Sequence, residues 1–391
     1  MIIFFVIILI FLTNLLNNYL KKQRFNIDQK TRFNCLIRDY SYCYILWTII
    51  LGLTIYLLTI NNLYKYLLIT LSAVLSFFFI IYLYQKNFNA KKHFEFFQIT
   101  ILSITTLIGI AITAIITISI FIETWQFFKL VDPRDFFFGL SWNPQMAINS
   151  DQEVGASSFG IIPVFLGTIL ITCVAMFIAV PIGIMSAIYL AMYAKNKTRD
   201  IVKPILEILA GVPTVVYGYF AVTVIAPSLK YSLAQFGIEI SAESALSAGF
   251  VMGIMIIPFV LSLTDDALIS VPQSLKDGAL ALGSTKSEMI KKVVLVQAFP
   301  NIIGAIILAI SRAIGETMIV VMSAGLVAKL SFNPLDSVTT ATAQIVTLLV
   351  GDQEFNSPKT LSAFALALTL FIFTFILNII ALAVIKKYKR Y

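Results

Sequence analysis

Within an otherwise uncharged apolar run, residues 311–318 read SRAIGETM, and Arg312 and Glu316 are the side chains of this sequence best placed to act on a ligand. Counted from Phe299, Arg312 lies 13 residues into the run. At ~1.5 Å per helical residue that is ~20 Å into a ~30 Å hydrocarbon slab. A central Arg costs ~2.5–3.5 kcal/mol on insertion scales, so it is expected to face the bundle interior or a watery path and to have a partner. Glu316 is one turn further along the same predicted face, within pairing reach across Gly315. Two outcomes are open. Either the pair neutralises itself and locks the helices, or the guanidinium offers its planar fork to an oxyanion while the carboxylate keeps that hold weak enough to release.

The elements that carry this pair follow from composition. Of 391 residues, 59% are hydrophobic and 12% charged, which excludes a water-soluble globule. Apolar runs of spanning length fall at about Met1 to Leu20, Cys43 to Ile60, Leu67 to Leu83, Gln98 to Ile122, Ile161 to Tyr193, Ile205 to Ala226, Ala245 to Leu263, Pro300 to Leu326 and Leu361 to Ile385. The expectation is an all-α polytopic membrane protein of about nine transmembrane helices. One histidine, His93, and three cysteines without a CxxC spacing offer no metal or redox ligand set, and no cofactor is expected.

Placing the C-terminal KKYKRY inside the cell puts 21 of 28 basic residues in five cytoplasmic stretches, 21–42, 85–97, 194–204, 268–296 and 386–391. The positive-inside rule then sets the N-terminus outside and the C-terminus cytoplasmic. It also explains the net charge of +8 without nucleic acid. The first run lacks a basic leader and an A-x-A-like cleavage site, and KKQR follows it, so it is expected to be retained as a helix. Three parts are expected: an N-terminal extension of three transmembrane helices over 1–92, a first core helix and external segment over 93–160, and a core over 161–391. From about residue 160 the texture shifts to Gly, Ala, Pro, Ser and Thr among aliphatics, as where helices pack closely. Ala305, Ala309 and Ala313 form one such small-residue ridge. Glu207 and the Asp265/Asp266 pair fall near predicted cytoplasmic helix ends, where interfacial snorkelling accounts for them.

The cytoplasmic stretch 268–296 has its own pattern. SLKDGALAL suits a short helix, Gly283 its C′ position, and Thr285 with Glu288 a T-x-x-E capping box opening a second short helix, KSEMIKKVVL. This is either an amphipathic hairpin on the membrane, with lysines toward lipid headgroups, or a knob that docks into a soluble partner.

The string DGALALGSTKSEMIKKVVL resembles the EAA loop of ABC importer permeases, E-A-A-x(3)-G-x(9)-I-x-L-P. Asp277, Gly278 and Ala279 stand at E-A-A, Gly283 at G, Val293 at I and Leu295 at L, with Asp for Glu, Gly for the first Ala and Val296 for Pro. With LEILAGVPTVVYG (206–218), SALSAGFVMGIMIIPFV (244–260), SLTDDALISVP (262–272), SRAIGETM and FFFGLSWNPQ (136–145), the sequence from about 98 to 391 is similar to the PstC-type permeases of the Pst phosphate importers. The first three runs resemble the N-terminal extension of long members of that family.

The resemblance implies a six-helix ABC importer permease core in the bacterial inner (plasma) membrane, moving phosphate inward by alternating access. Its implied partners are a PstA-type sister permease, a PstB-type ATPase dimer and an external phosphate-binding protein, besides membrane lipids. It assigns Arg312 and Glu316 to the substrate pathway, and Asp277, Gly278, Ala279, Gly283, Thr285, Glu288 and Leu295 to ATPase coupling. No P-loop G-x-x-x-x-G-K-[ST] is present in the sequence, so ATP hydrolysis is expected in the partner and no enzymatic activity in this chain. A permease for another oxyanion and an ion-coupled secondary transporter are the competing readings.

Overall fold

The computed structural model describes Phe78 and residues 90–146, 158–350 and 357–388. The first three expected spans lie outside these apart from Phe78. The chain divides into two compact units, Met1–Ile115 and Ile116–Tyr391.

Helix α1 (Ala90–Leu130) is apolar all round. Ile and Leu residues from Ile99 to Ile122 are exposed on every face, as suits a helix whose solvent is hydrocarbon. Lipid-facing threonines return their hydroxyls to the helix's own carbonyls, Thr100 to Phe96 at 2.8 Å and Thr106 to Leu102 at 2.6 Å, which pairs these donors without water.

In the second unit, α2 (Pro133–Phe138) follows α1. Phe127, Phe136 and Phe159 form an edge-to-face cluster with centroids 5.3 and 5.5 Å apart. Trp142 donates through Nε1 to Gln344 Oε1 at 3.0 Å in the same buried layer. The remaining helices are α3 (Ile162–Ile188, extended by a π-turn, Tyr189–Tyr193), α4 (Asn196–Ala210), α5 (Thr214–Phe220), α6 (Ala226–Ala234), α7 (Ala245–Ile269), α8 (Gln273–Ala281), α9 (Lys286–Met289), α10 (Leu295–Ile314), α11 (Met318–Ser323), α12 (Ala341–Leu349) and α13 (Pro358–Tyr388). Among the described residues there is no β-strand. Among the described residues five helices are long and apolar enough to cross a bilayer, or six if α4 and the α5–α6 segment, bent by 83° against each other, count as one broken span.

The centre of this unit is α7 against α3. Gly249 and Gly253 sit one turn apart on α7, and a Cβ on them would lie 2.7 Å from Val174 Cβ and 2.9 Å from the Ala175 carbonyl oxygen. The backbones therefore approach more closely than any larger residue permits, the small-xxx-small packing of membrane helices. The alanine ridge on α10 behaves as expected: Ala305, Ala309 and Ala313 are all buried.

Three helix limits depart from the sequence expectation. The run from Ile205 to Ala226 is broken at 211–213, where Pro213 cannot donate a backbone hydrogen bond and biases Val212 away from helix. KSEMIKKVVL is not a separate short helix: α9 passes through a π-turn, Ile290–Val294, straight into α10, a continuous helix of 29 residues from Lys286 to Ile314. That helix stops at Ile314, with Gly315 as its C-cap, instead of running on to Leu326.

Candidate functional site

Arg312 occupies the last turn of α10, where a cation also complements the helix dipole. The guanidinium lies over the Phe259 ring at 5.4 Å from its centroid, and Nη2 is 4.0 Å from Met255 Sδ. Both neighbours belong to the middle of α7. Met255 is ten residues from the start of that helix, ~15 Å along the axis. Arg312 therefore stands level with the middle of α7, although it ends its own helix.

The expected Arg312–Glu316 pair does not form; among the described ion pairs none includes either residue. Because Gly315 ends the helix, position 316 is no longer one turn along the face of 312. Glu316 instead turns to the next helix. Its Oε1 accepts from the Met318 N–H at 3.2 Å, and its carbonyl accepts from the Thr342 hydroxyl at 2.7 Å. The first N–H groups of α11 have no partner inside that helix, and the carboxylate supplies one.

Arg312 instead lines a cavity of about 240 Å³ whose walls come from α4, α7 and α10. Phe259, Met255, Pro258 and Leu206 form its apolar surface, Ser262 brings a hydroxyl, and Lys203 stands as a second cation. No acid lines it. Two cations in an apolar cavity form a setting for a small anion.

Lys203 belongs to an ion cluster that the sequence reading placed at the membrane interface. Asp265 is 1% exposed, so interfacial snorkelling does not describe it. Its Oδ2 receives Arg199 Nη2 at 2.8 Å and Lys203 Nζ at 3.2 Å, while Lys203 also reaches Asp266 Oδ1 at 3.4 Å. Burying a carboxylate demands such compensation. The signal was present in the sequence: Arg199 and Lys203 are four apart on one helix face, facing two adjacent Asp in an apolar helix. The Glu207 side chain lies outside the described ones.

Beyond α7, the expected coupling residues are together. Gly283 has φ +85° and terminates α8. Thr285 Oγ1 accepts the Glu288 N–H at 3.3 Å, and Glu288 Oε2 accepts the Thr285 N–H at 3.0 Å, a complete capping box. Asp277 is exposed and accepts from Gln273 Nε2 at 2.9 Å. A Cβ on Gly278 would meet nothing within 4 Å. Ala279 and Leu295 pack inward against a buried cluster, whereas Leu275, Leu280 and Leu282 are exposed, Leu282 at 91%. The turn between α8 and α9 thus leaves a large apolar side chain bare.

Comparison with known proteins adds to this geometry. A family model, the binding-protein-dependent transport system inner membrane component, matches residues 179–390. The probable ABC transporter permease protein YqgH of Bacillus subtilis (strain 168) is 34% identical over 278 residues, covering 71% of this chain and 86% of the relative. The phosphate transport system permease protein PstC of Haemophilus influenzae is 30% identical over 332 residues, covering 78% of this chain and 97% of the relative. An inward-facing structure of the MetNI methionine ABC transporter aligns with TM-score 0.45 and 15% identity, over 57% of this chain and 93% of that one.

Proposed function

The chain belongs to the family of binding-protein-dependent transport system inner membrane components, and from that premise we propose that it is the channel-forming permease subunit of an ATP-driven inorganic phosphate importer. The observation that carries the reading is Arg312: a guanidinium level with the middle of α7, paired with no carboxylate among the described residues, facing an apolar cavity with a second cation on its wall. The phosphate transport permeases to which the chain is 28–32% identical in sequence support the choice of anion.

The donors of Arg312 form a planar fork that matches two oxygens of a tetrahedral anion. Phe259 and Met255 hold that fork by a face contact and a soft sulfur contact, which orient it without competing for its charge. A dianion leaving water for this cavity exchanges hydration for these donors. The contact is brief because only a few groups make it.

In this reading a PstB-type ATPase dimer engages the turn within 274–292 from the cytoplasm. Closure of the ATPase dimer pushes that turn. Since Thr285 starts a helix that runs unbroken to Ile314, the push reaches Arg312 along one rigid element, rocking it between outward and inward exposure. A PstA-type sister permease closes the other side of the passage. An external phosphate-binding protein delivers the anion, with the N-terminus outside, the C-terminus cytoplasmic and the whole in the bacterial inner membrane.

The test is uptake of radiolabelled phosphate by vesicles carrying the assembled complex, with sulfate as competitor. ATP-dependent uptake that excess sulfate leaves unchanged is the expected result. Equal competition by sulfate would replace phosphate with a broader oxyanion reading.

A further inference from the structure

We propose that Lys203 is a second cationic contact for the transported oxyanion, taking it from Arg312 toward the α7–α8 end of the passage, with Asp265 and Asp266 competing for the same ammonium. The inference rests on the phosphate reading above and assigns that site a further residue.

Both side chains line one cavity. Arg312 meets α7 at Phe259, whereas Lys203 meets it at Asp265, six residues or ~9 Å further along the helix. The cations thus mark two levels of one passage. Ser262 lies between these levels on α7 and adds a hydroxyl.

Lys203 is not needed to neutralise Asp265. Arg199 holds the same oxygen more closely, at 2.8 Å against 3.2 Å. Asp265 Oδ1, by contrast, is buried without a hydrogen-bond partner, so two donors crowd one oxygen while the other has none. An arrangement built only for stability would spread its donors over both oxygens. Asp266 is exposed and water can solvate it once Lys203 leaves. The ammonium has three donors, and releasing it from either carboxylate leaves no uncompensated buried charge.

Competition then makes the contact transient. Arg199, Lys203, Asp265 and Asp266 sum to zero charge, so an anion reaching Lys203 must displace a carboxylate and is displaced by it in turn. That is the role a carboxylate beside Arg312 was expected to play; it falls to Asp265 and Asp266, at the other level. Asp266 is also three residues before the end of α7, which leads through 270–272 into α8. Lys276 of α8 reaches back to the Leu268 carbonyl at 3.5 Å. Movement of the coupling turn therefore acts close to the competing acids.

The test uses the complete complex in proteoliposomes with its binding protein, measuring maximal phosphate uptake and stimulated ATP hydrolysis. K203Q is expected to lower maximal uptake by about tenfold or more, the scale of a lost charge-assisted contact, while ATP hydrolysis persists and K203R retains most uptake. K203Q/D266N restores the charge balance of the cluster and supplies the readout if K203Q fails to assemble. If Lys203 contacts the anion, the double variant stays as low as K203Q. Recovery of wild-type uptake in K203Q/D266N would reduce Lys203 to a counter-ion for the acids and overturn the proposal, as would undiminished uptake in K203Q. Absence of phosphate uptake by the wild-type complex would instead overturn the underlying reading and this proposal with it.

Discussion

Arg312 lies over the ring of Phe259, 5.4 Å from its centroid, and so takes its place from α7 instead of from Glu316 on its own segment. The guanidinium is oriented by an aromatic face, which holds a cation without neutralising it. Its charge stays available to a passing anion, and the carboxylate expected beside it works elsewhere as an acceptor for α11.

The capping role of Glu316 separates two substitutions. In E316Q the amide oxygen still accepts the Met318 N–H, so stability should stay within a few tenths of a kcal/mol of wild type, whereas E316A should lose about 1 kcal/mol, as when a helix N-terminal acceptor is removed. Thermal unfolding of the purified complex checks this. Equal loss in both variants would mean that the charge, not the acceptor, matters.

Gly283 sits at φ +85° with open space around its missing Cβ, so the constraint there is backbone conformation and not crowding. G283V forces a β-branched residue into the left-handed region and should distort the turn that carries Leu282. The expected outcome is intact assembly with phosphate-stimulated ATP hydrolysis lowered severalfold. Normal stimulation would reject the turn as the docking element.

The segment 329–336 should be acid-sensitive. The Ser331 hydroxyl, and after it the Lys329 ammonium, hold the Asp336 carboxyl below its ordinary value of 3.8. The folded value is the lower one, so this contribution is fully present above about pH 4. It fades as pH falls below that value and through the folded pKa. Hydrogen exchange of the 329–336 amides should therefore rise at low pH in wild type, relative to its intrinsic rate. D336N should exchange faster at neutral pH and lack that further change; an unchanged neutral rate in D336N would contradict the assignment.

The all-α membrane fold was legible because charge-free runs of spanning length leave a chain few other options. Helix ends were not: averaged over a span, hydropathy stays high through 211–213 and 315–317, although the helices stop there. The α8 turn was read well, since Gly283, Thr285 and Glu288 act through local geometry within a few residues. Arg312 was legible as a costly charge, but its neighbours were not. Phe259 and Met255 lie more than fifty residues earlier in sequence and are ordinary apolar residues there. The Arg199–Lys203–Asp265 cluster carried a signal in its spacing, hidden by the assumption that acids near a helix end reach water.

The central claim is that Arg312 gives phosphate its foothold in the membrane. The most direct measurement is radiolabelled phosphate uptake by vesicles holding equal amounts of assembled wild-type and R312Q complex. Uptake at background in R312Q, with the ATPase still bound, is the predicted result; undiminished uptake in R312Q would contradict the account.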